Sequence, residues 1–329
     1  MTVAQAQSAQ TLDTITVVAT KTEEKAIDAL APVSVINQST IQMIDPKRVN
    51  ELFYNVPGVT AQERGDSPET SINIRGLQDF GRVAVLIDGA RQNYQRTGHN
   101  ANGSFYLEPE LLAGLDIVRG PTANIYGSGA IGGVASFRTK DVKDIVRPGE
   151  RWGTQAAGSF GDNSGRAMGS AFTGGHVGQN VDVMVGATTR TQSDYFAGHQ
   201  AGLVQNSGYH VNTQIAKITV RPWDGHEFKF GGVFQENEYN IGQRNIGPIA
   251  TAAQRAQFQG TSVYAADVKN QTGTARWTYF RPEDKLFNWD ANVYWNRVDN
   301  DEQKIGHISN TIQGGVCRVP GNNISGCIG

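Results

Sequence analysis

The chain of 329 residues has little of what marks most function classes. Its formal net charge is -2, so no basic excess advertises nucleic acid as a partner. Its longest apolar run, Val83–Ile87, is far too short to cross a bilayer as a helix. That bars helical spans only, because barrel strands alternate apolar and polar residues and leave a weak hydropathy signal. No Ser/His/Asp spacing, clustered metal ligands or paired carboxylates stand out, so an enzyme is not expected. Only two cysteines occur, Cys317 and Cys327, on either side of a turn-rich loop. Metal binding there would need a third or fourth ligand, and none sits nearby. A surface-loop disulfide in an oxidising compartment is the expected state.

Glycine is the excess, at 39 residues. No triplet period supports collagen, and patterned β-branched and aromatic residues argue against disorder. The glycines are densest between Ile117 and Thr139, where Gly127, Gly129 and Gly132 fit G-x-G-x-x-G. A dinucleotide site would need a helix to start within those glycines. Instead Gly133 follows at once, then Val134-Ala135-Ser136-Phe137, which alternates like a short strand. No Lys-Ser/Thr follows either. The glycines therefore read as tight backbone packing between short strands.

From Lys25 to about Arg147 the pattern is a compact α+β domain. Strands are expected from Ala31 to Ile36, from Ser71 to Arg75 and over Val83–Ile87, the last turning at Asp88-Gly89. Asp45 and Pro46 predict the N-cap and first turn of a short helix carrying Val49, Leu52 and Phe53, and Pro109 to Leu112 a second short helix. The stretch from Arg91 to Phe105 is polar and lacks alternation, which predicts a long exposed loop with His99 at its centre.

From Arg151 about seven strands are expected, near 153–160, 166–174, 181–192, 215–221, 226–236, 270–280 and 287–299. In the last, Phe287, Trp289, Ala291, Val293 and Trp295 fall on one face, and Asn288, Asp290, Asn292, Tyr294 and Asn296 on the other. Phe228, Phe230 and Phe234 oppose Glu227, Lys229 and Gln235 in the same way. Short connectors (222–225, 281–285) alternate with long polar segments (193–214, 237–269, and from 301), the habit of a membrane barrel with tight turns on one side and loops on the other.

Three motifs in order carry a family resemblance: Ile74-Arg75-Gly76, then Leu86-Ile87-Asp88-Gly89, then Ile117-Val118-Arg119-Gly120-Pro121 with Tyr126-Gly127-Ser128-Gly129-Ala130-Ile131-Gly132-Gly133. The chain resembles the TonB-dependent outer-membrane receptors. The implied fold is mainly β: an α+β plug followed by the first strands of a transmembrane antiparallel barrel. The implied division is 1–24 as an N-terminal segment, 25–147 as plug and 148–329 as barrel. Asp13, Thr14, Ile15, Thr16, Val17 and Val18 look like the TonB box, a β-prone segment that adds to a partner's sheet edge. Asp88-Gly89-x-Arg91-Gln92, Thr97-Gly98-His99 and Asn102-Gly103-Ser104-Phe105 resemble the plug apex of haem and haemoglobin receptors, which implies His99 as a haem-iron ligand. Arg91, Tyr94 and Arg96 are candidates to approach the propionates. Arg75 and Arg119 are expected to pair with carboxylates between plug and wall.

The resemblance implies haem as a transported ligand, with no permanently bound cofactor, and TonB, haem or a haemoprotein, and the lipid bilayer as partners. A ferric-siderophore receptor is the alternative. The first ten residues lack a secretion signal's charged start and apolar core, although Ala4-Gln5-Ala6-Gln7 looks like the end of one, so a leader is expected upstream. Seven strands are too few to close a barrel of this family, so an incomplete or truncated, non-transporting receptor is a further expectation.

Overall fold

The computed structural model describes residues 31–64, 67–78, 82–94, 103–121, 129–198, 202–204, 206–241, 262–284 and 286–309, together with five two-residue strands elsewhere. Two bodies follow one another: a small mixed domain, and an antiparallel sheet curved against it.

The plug is built on a five-stranded sheet in the order Val33–Asn37, Leu112–Arg119, Gly133–Thr139, Val83–Ile87, Ala90–Arg91. All neighbours are antiparallel except Val83–Ile87 beside Gly133–Thr139, which run parallel. The segment after Gly132 is thus a central strand, as its alternation predicts. Gly133 has φ 143°, and a Cβ there would lie 2.1 Å from the Val118 carbonyl oxygen, so only glycine fits. Asp88 and Gly89, at φ 49° and 83°, close a two-residue hairpin between Ile87 and Ala90, where Asp-Gly satisfies the two left-handed positions of a type I′ turn.

One helix was not legible and another begins later than expected. Gln38–Ile44 is helical, capped by the Asn37 side chain, which accepts from the Thr40 amide at 2.9 Å. Asp45 does not open a helix: it ends this one, in the left-handed conformation at φ 47°. Val49–Phe53 then forms a 3-10 turn that buries Val49, Leu52 and Phe53 in a core with Ile74, Ile87, Leu115, Ile117 and Phe137. The second short helix is a 3-10 turn at Pro109–Leu111, and Val59–Arg64 is an additional strand paired with Ser67–Ile74.

The chain leaves the plug through the helix Val142–Ile145, closed by a capping box between Asp141 and Asp144. Seven antiparallel wall strands follow in sequence order: Trp152–Gly161, Arg166–Val177, Val181–Gln192, Tyr209–Val220, His226–Ile241, Ser262–Tyr279 and Trp289–Ser309. The expected alternation holds. Val185, Ile218, Phe230, Val293 and Trp295 are exposed on the outer face, while Met184, Lys217, Gln235 and Thr272 are buried on the inner one. Phe228, Trp277 and Trp289 cluster near the tight turns, with Phe228 stacked on Trp277 at 5.8 Å, in the manner of an interfacial aromatic girdle.

The long polar segments need correction. Strand continues through 209–214, 237–241, 262–269 and 301–309, so the last three wall strands have 16, 18 and 21 residues. A tilted strand needs only about 9–11 residues to span the hydrocarbon. The excess therefore stands clear of lipid, at the end away from the tight turns. There the hydropathy phase inverts: Tyr209, Val211, Tyr239, Ile241, Ala266 and Val268 point inward and are buried, while Glu238 and Asn240 face water.

Candidate functional site

Two regions join plug to wall. The first surrounds the stems of the segment from Tyr94 to Gly103. Tyr106 is buried, and its hydroxyl lies 2.9 Å from that of Tyr239 on the fifth wall strand. The Tyr94 ring packs 6.1 Å from Tyr106, and its hydroxyl accepts from Asn300 Nδ2 at 2.9 Å. Burial, with the neighbouring Tyr239 second, holds the Tyr106 phenol well above its ordinary pKa. Phe105 pairs with Thr70 through both backbone bonds. Between the stems a shallow pocket is lined by Arg91, Gln92 and Asn93 on one side and Gly103, Ser104 and Phe105 on the other.

The second region lies below, where charged side chains cross from plug to wall. Arg190 grips Glu108 with Nη2 at 2.7 Å and Nε at 3.2 Å from both carboxylate oxygens, and each side chain is only 3% exposed. Lys217 Nζ lies 2.9 Å from Asp88 Oδ2 and donates to the Thr139 carbonyl at 3.2 Å. Lys229 Nζ lies 2.6 Å from Asp141 Oδ2. Burial alone would raise the Asp88 carboxyl. Lys217 and the Thr139 donors outweigh it and hold the group below its ordinary value, and Lys229 does the same for Asp141. An apolar cluster of Leu111, Val142 and Val146 against Phe172, Met184 and Ile215 backs these pairs.

The plug motifs have structural places. Arg75 and Gly76, at φ 52° and 83°, form a turn in which the Arg75 amide donates to the Gly58 carbonyl and the Gly76 amide to Asn73 Oδ1, both at 2.8 Å. Among the described residues Arg75 has no carboxylate partner. Arg119 donates instead to the Pro57 carbonyl at 2.8 Å and to that of Pro32 at 3.4 Å, so among the described residues neither arginine makes the expected plug–wall ion pair. The Arg119 guanidinium ties two plug loops whose carbonyls lie at its edge. Gly120 donates its amide to the Gly132 carbonyl, Gly132 donates to Arg82, and Gly129 sits at φ 90°.

The wall partners Arg190, Lys217 and Lys229, and the plug residues Glu108 and Asp141, carry no local motif that would single them out. Alternation puts the three basic residues on the inner face and does no more. His99, Arg96, Gly127 and Cys317 lie outside the described residues, as do Asp13, Thr14, Val17 and Val18. Ile15–Thr16 pairs antiparallel with Glu24–Lys25, and Cys327 stands opposite Ser309 in a two-residue strand. Among the described residues no group of three or more His, Cys, Asp or Glu is arranged around a metal position.

A mixed five-stranded plug docked through buried polar contacts against an antiparallel wall with an apolar outer face is the architecture of part of a plugged membrane β-barrel. Residues 25–134 match the family described as TonB-dependent Receptor Plug Domain. The chain is 36% identical over 162 residues to a "Hemin receptor" of Yersinia enterocolitica, covering 49% of this chain and 23% of that protein. It is 30% identical over 186 residues to "TonB-dependent heme receptor A" of Haemophilus ducreyi, covering 56% and 25%. Among solved structures, the Serratia marcescens hemophore receptor HasR, in complex with its hemophore HasA and heme, superposes with a TM-score of 0.72 at 25% identity, over 84% of this chain and 39% of that one. Residues 25–134 thus form a TonB-dependent receptor plug domain, and the strands after it share the fold of the hemophore receptor. The chain spans about a quarter of the length of the curated relatives it matches.

Proposed function

We propose that this chain is the plug and adjoining wall of an outer-membrane receptor that takes up haem under the pull of TonB. The observation that carries the reading is the similarity to relatives named for hemin and heme, in a chain whose sequence holds Thr97-Gly98-His99 between Tyr94 and Gly103. In this reading the plug extends over 25–147, closes the lumen through its ion pairs, and presents the segment around His99 to the outside. The imidazole of His99 ligates haem iron, a task that suits a side chain neutral near pH 7. Asp13 to Val18 is the coupling segment, where strand addition to TonB transmits force. The wall strand lengths and the aromatic cluster near the tight turns support placement in the outer membrane, with the long strand ends outside.

Haem enters as cargo, and chemistry on it is not part of the role. A ferric-siderophore receptor shares the fold, and no feature of the described plug favours it. The test is haemin titration of the full receptor and of His99→Ala. The reading expects a weakened affinity and a shifted Soret band in the variant. An unchanged band with unchanged affinity refutes the ligand role of His99.

A further inference from the structure

Plug and wall meet along two seams of different chemistry. On the side of the second to fifth wall strands the contacts are Glu108–Arg190, Asp88–Lys217 and Asp141–Lys229, with the Leu111–Phe172 apolar cluster behind them. The chain itself crosses here, through Val142–Ile145 into Trp152. On the seventh wall strand, Trp289–Ser309, three contacts with the plug come from neutral amides. Asn292 Nδ2 donates to the Gly89 carbonyl at 3.2 Å, Asn296 Nδ2 to Gln92 Oε1 at 3.1 Å, and Asn300 Nδ2 to the Tyr94 hydroxyl at 2.9 Å. Spaced four apart on a strand, the three amides share the inner face and climb the rising plug segment from Gly89 to Tyr94 as a ladder.

We infer that this amide ladder is the seam along which the plug parts from the wall, and that the charged side is the hinge. A neutral hydrogen bond is replaced by one to water at small net cost. Opening the other side would expose apolar surface, separate three ion pairs and strain the covalent connection, three opposed terms. The apolar contact of the seam sits at its upper end, where Tyr94 and Val298 border the tyrosine knot. The ladder also sets register, because a shift by one residue would turn all three amides outward.

The inference rests on the reading of the chain as an energised haemin importer. Its test uses two cysteine clamps in the full receptor chain, Gln92→Cys with Asn296→Cys on the seam and Glu108→Cys with Arg190→Cys on the hinge. Each is closed by a bis-methanethiosulfonate bridge that forms a disulfide with both thiols and spans the distance between side chains that meet only at their tips, with closure verified by mass spectrometry. Uptake of labelled haemin by energised cells is compared before and after reductant. The expected result is that the closed seam clamp lowers uptake at least tenfold, reductant restores it, and haemin binding at the surface is unchanged. The closed hinge clamp keeps uptake within about twofold of its reduced form. If the buried pair does not tolerate substitution, Ser170→Cys with Glu110→Cys clamps the same side through a contact of 3.1 Å. Full uptake through a closed seam clamp, or equal block by both clamps, overturns the inference. Absence of haemin uptake by the unsubstituted receptor overturns the importer reading itself, and the inference falls with it.

Discussion

Arg190→Met tests the idea that buried charge holds the plug in place. Both members of the Glu108–Arg190 pair are 3% exposed, so solvent screening does not discount the interaction. Removing the guanidinium leaves a buried carboxylate at the plug–wall boundary with, among the described residues, one remaining donor, the Glu110 amide at 3.3 Å. Losing one partner of a buried pair costs about 3–5 kcal/mol. At about 1.4 kcal/mol per tenfold, that is a change in the docked-to-undocked ratio on the order of a hundred- to several-thousand-fold. Glu108→Gln combined with Arg190→Met removes both charges and should recover most of that loss, to within about 1–2 kcal/mol of the parent. The assay is pulse proteolysis over a urea series on the receptor folded in detergent, read by loss of plug fragments. Two results would refute the reasoning: a single substitution costing under about 1 kcal/mol, or a double substitution costing the sum of the two singles.

Acid should undock the plug late. Asp88 and Asp141 have carboxyl pKa values below the ordinary 3.8, so their stabilisation is complete above that value and is lost as pH falls through the lower folded values. Protease resistance of the plug is therefore unchanged from pH 7 to 5 and declines only below about 3.8; a loss already at pH 6 would contradict the assignment. Gly133→Ala forces a Cβ to within 2.1 Å of the Val118 carbonyl at φ 143° and should destabilise the plug by well over ~1 kcal/mol, visible as a lowered plug melting transition.

The fold was legible where chemistry is local. The Asp88-Gly89 hairpin and the strand after Gly132 follow from backbone conformations that few residue types adopt, and each lies where the pattern puts it. The lower halves of the wall strands were legible because lipid demands one apolar face, as Trp289, Val293 and Trp295 supply. The helix Gln38–Ile44 was hidden because its exposed, mixed sequence buries only Ile41, so it leaves no apolar stripe. His99 was singled out by resemblance alone, since a polar loop has no periodicity from which to read a role.

The upper wall and the plug–wall pairs were hidden for a shared physical reason. Along His226–Ile241 the inner face begins with Glu227 and Lys229 and ends with Tyr239 and Ile241, while the outer face runs from Phe228 and Phe230 to Glu238 and Asn240. Averaged over the strand the two faces are equally apolar, and the alternation cancels. The inversion is a boundary condition: below it the outside is lipid, above it the outside is water and the inside is the tyrosine knot beneath the loop stems. Lys217 and Lys229 sit on the lipid side of that boundary, facing inward, where an unpaired ammonium would be costly. Their need for a carboxylate follows from their place in the wall. Which carboxylate answers is set by plug register, and that register is fixed by contacts more than a hundred residues apart, such as Asp88 with Lys217 and Gly89 with Asn292. A constraint of that kind exists only once both bodies are folded and docked.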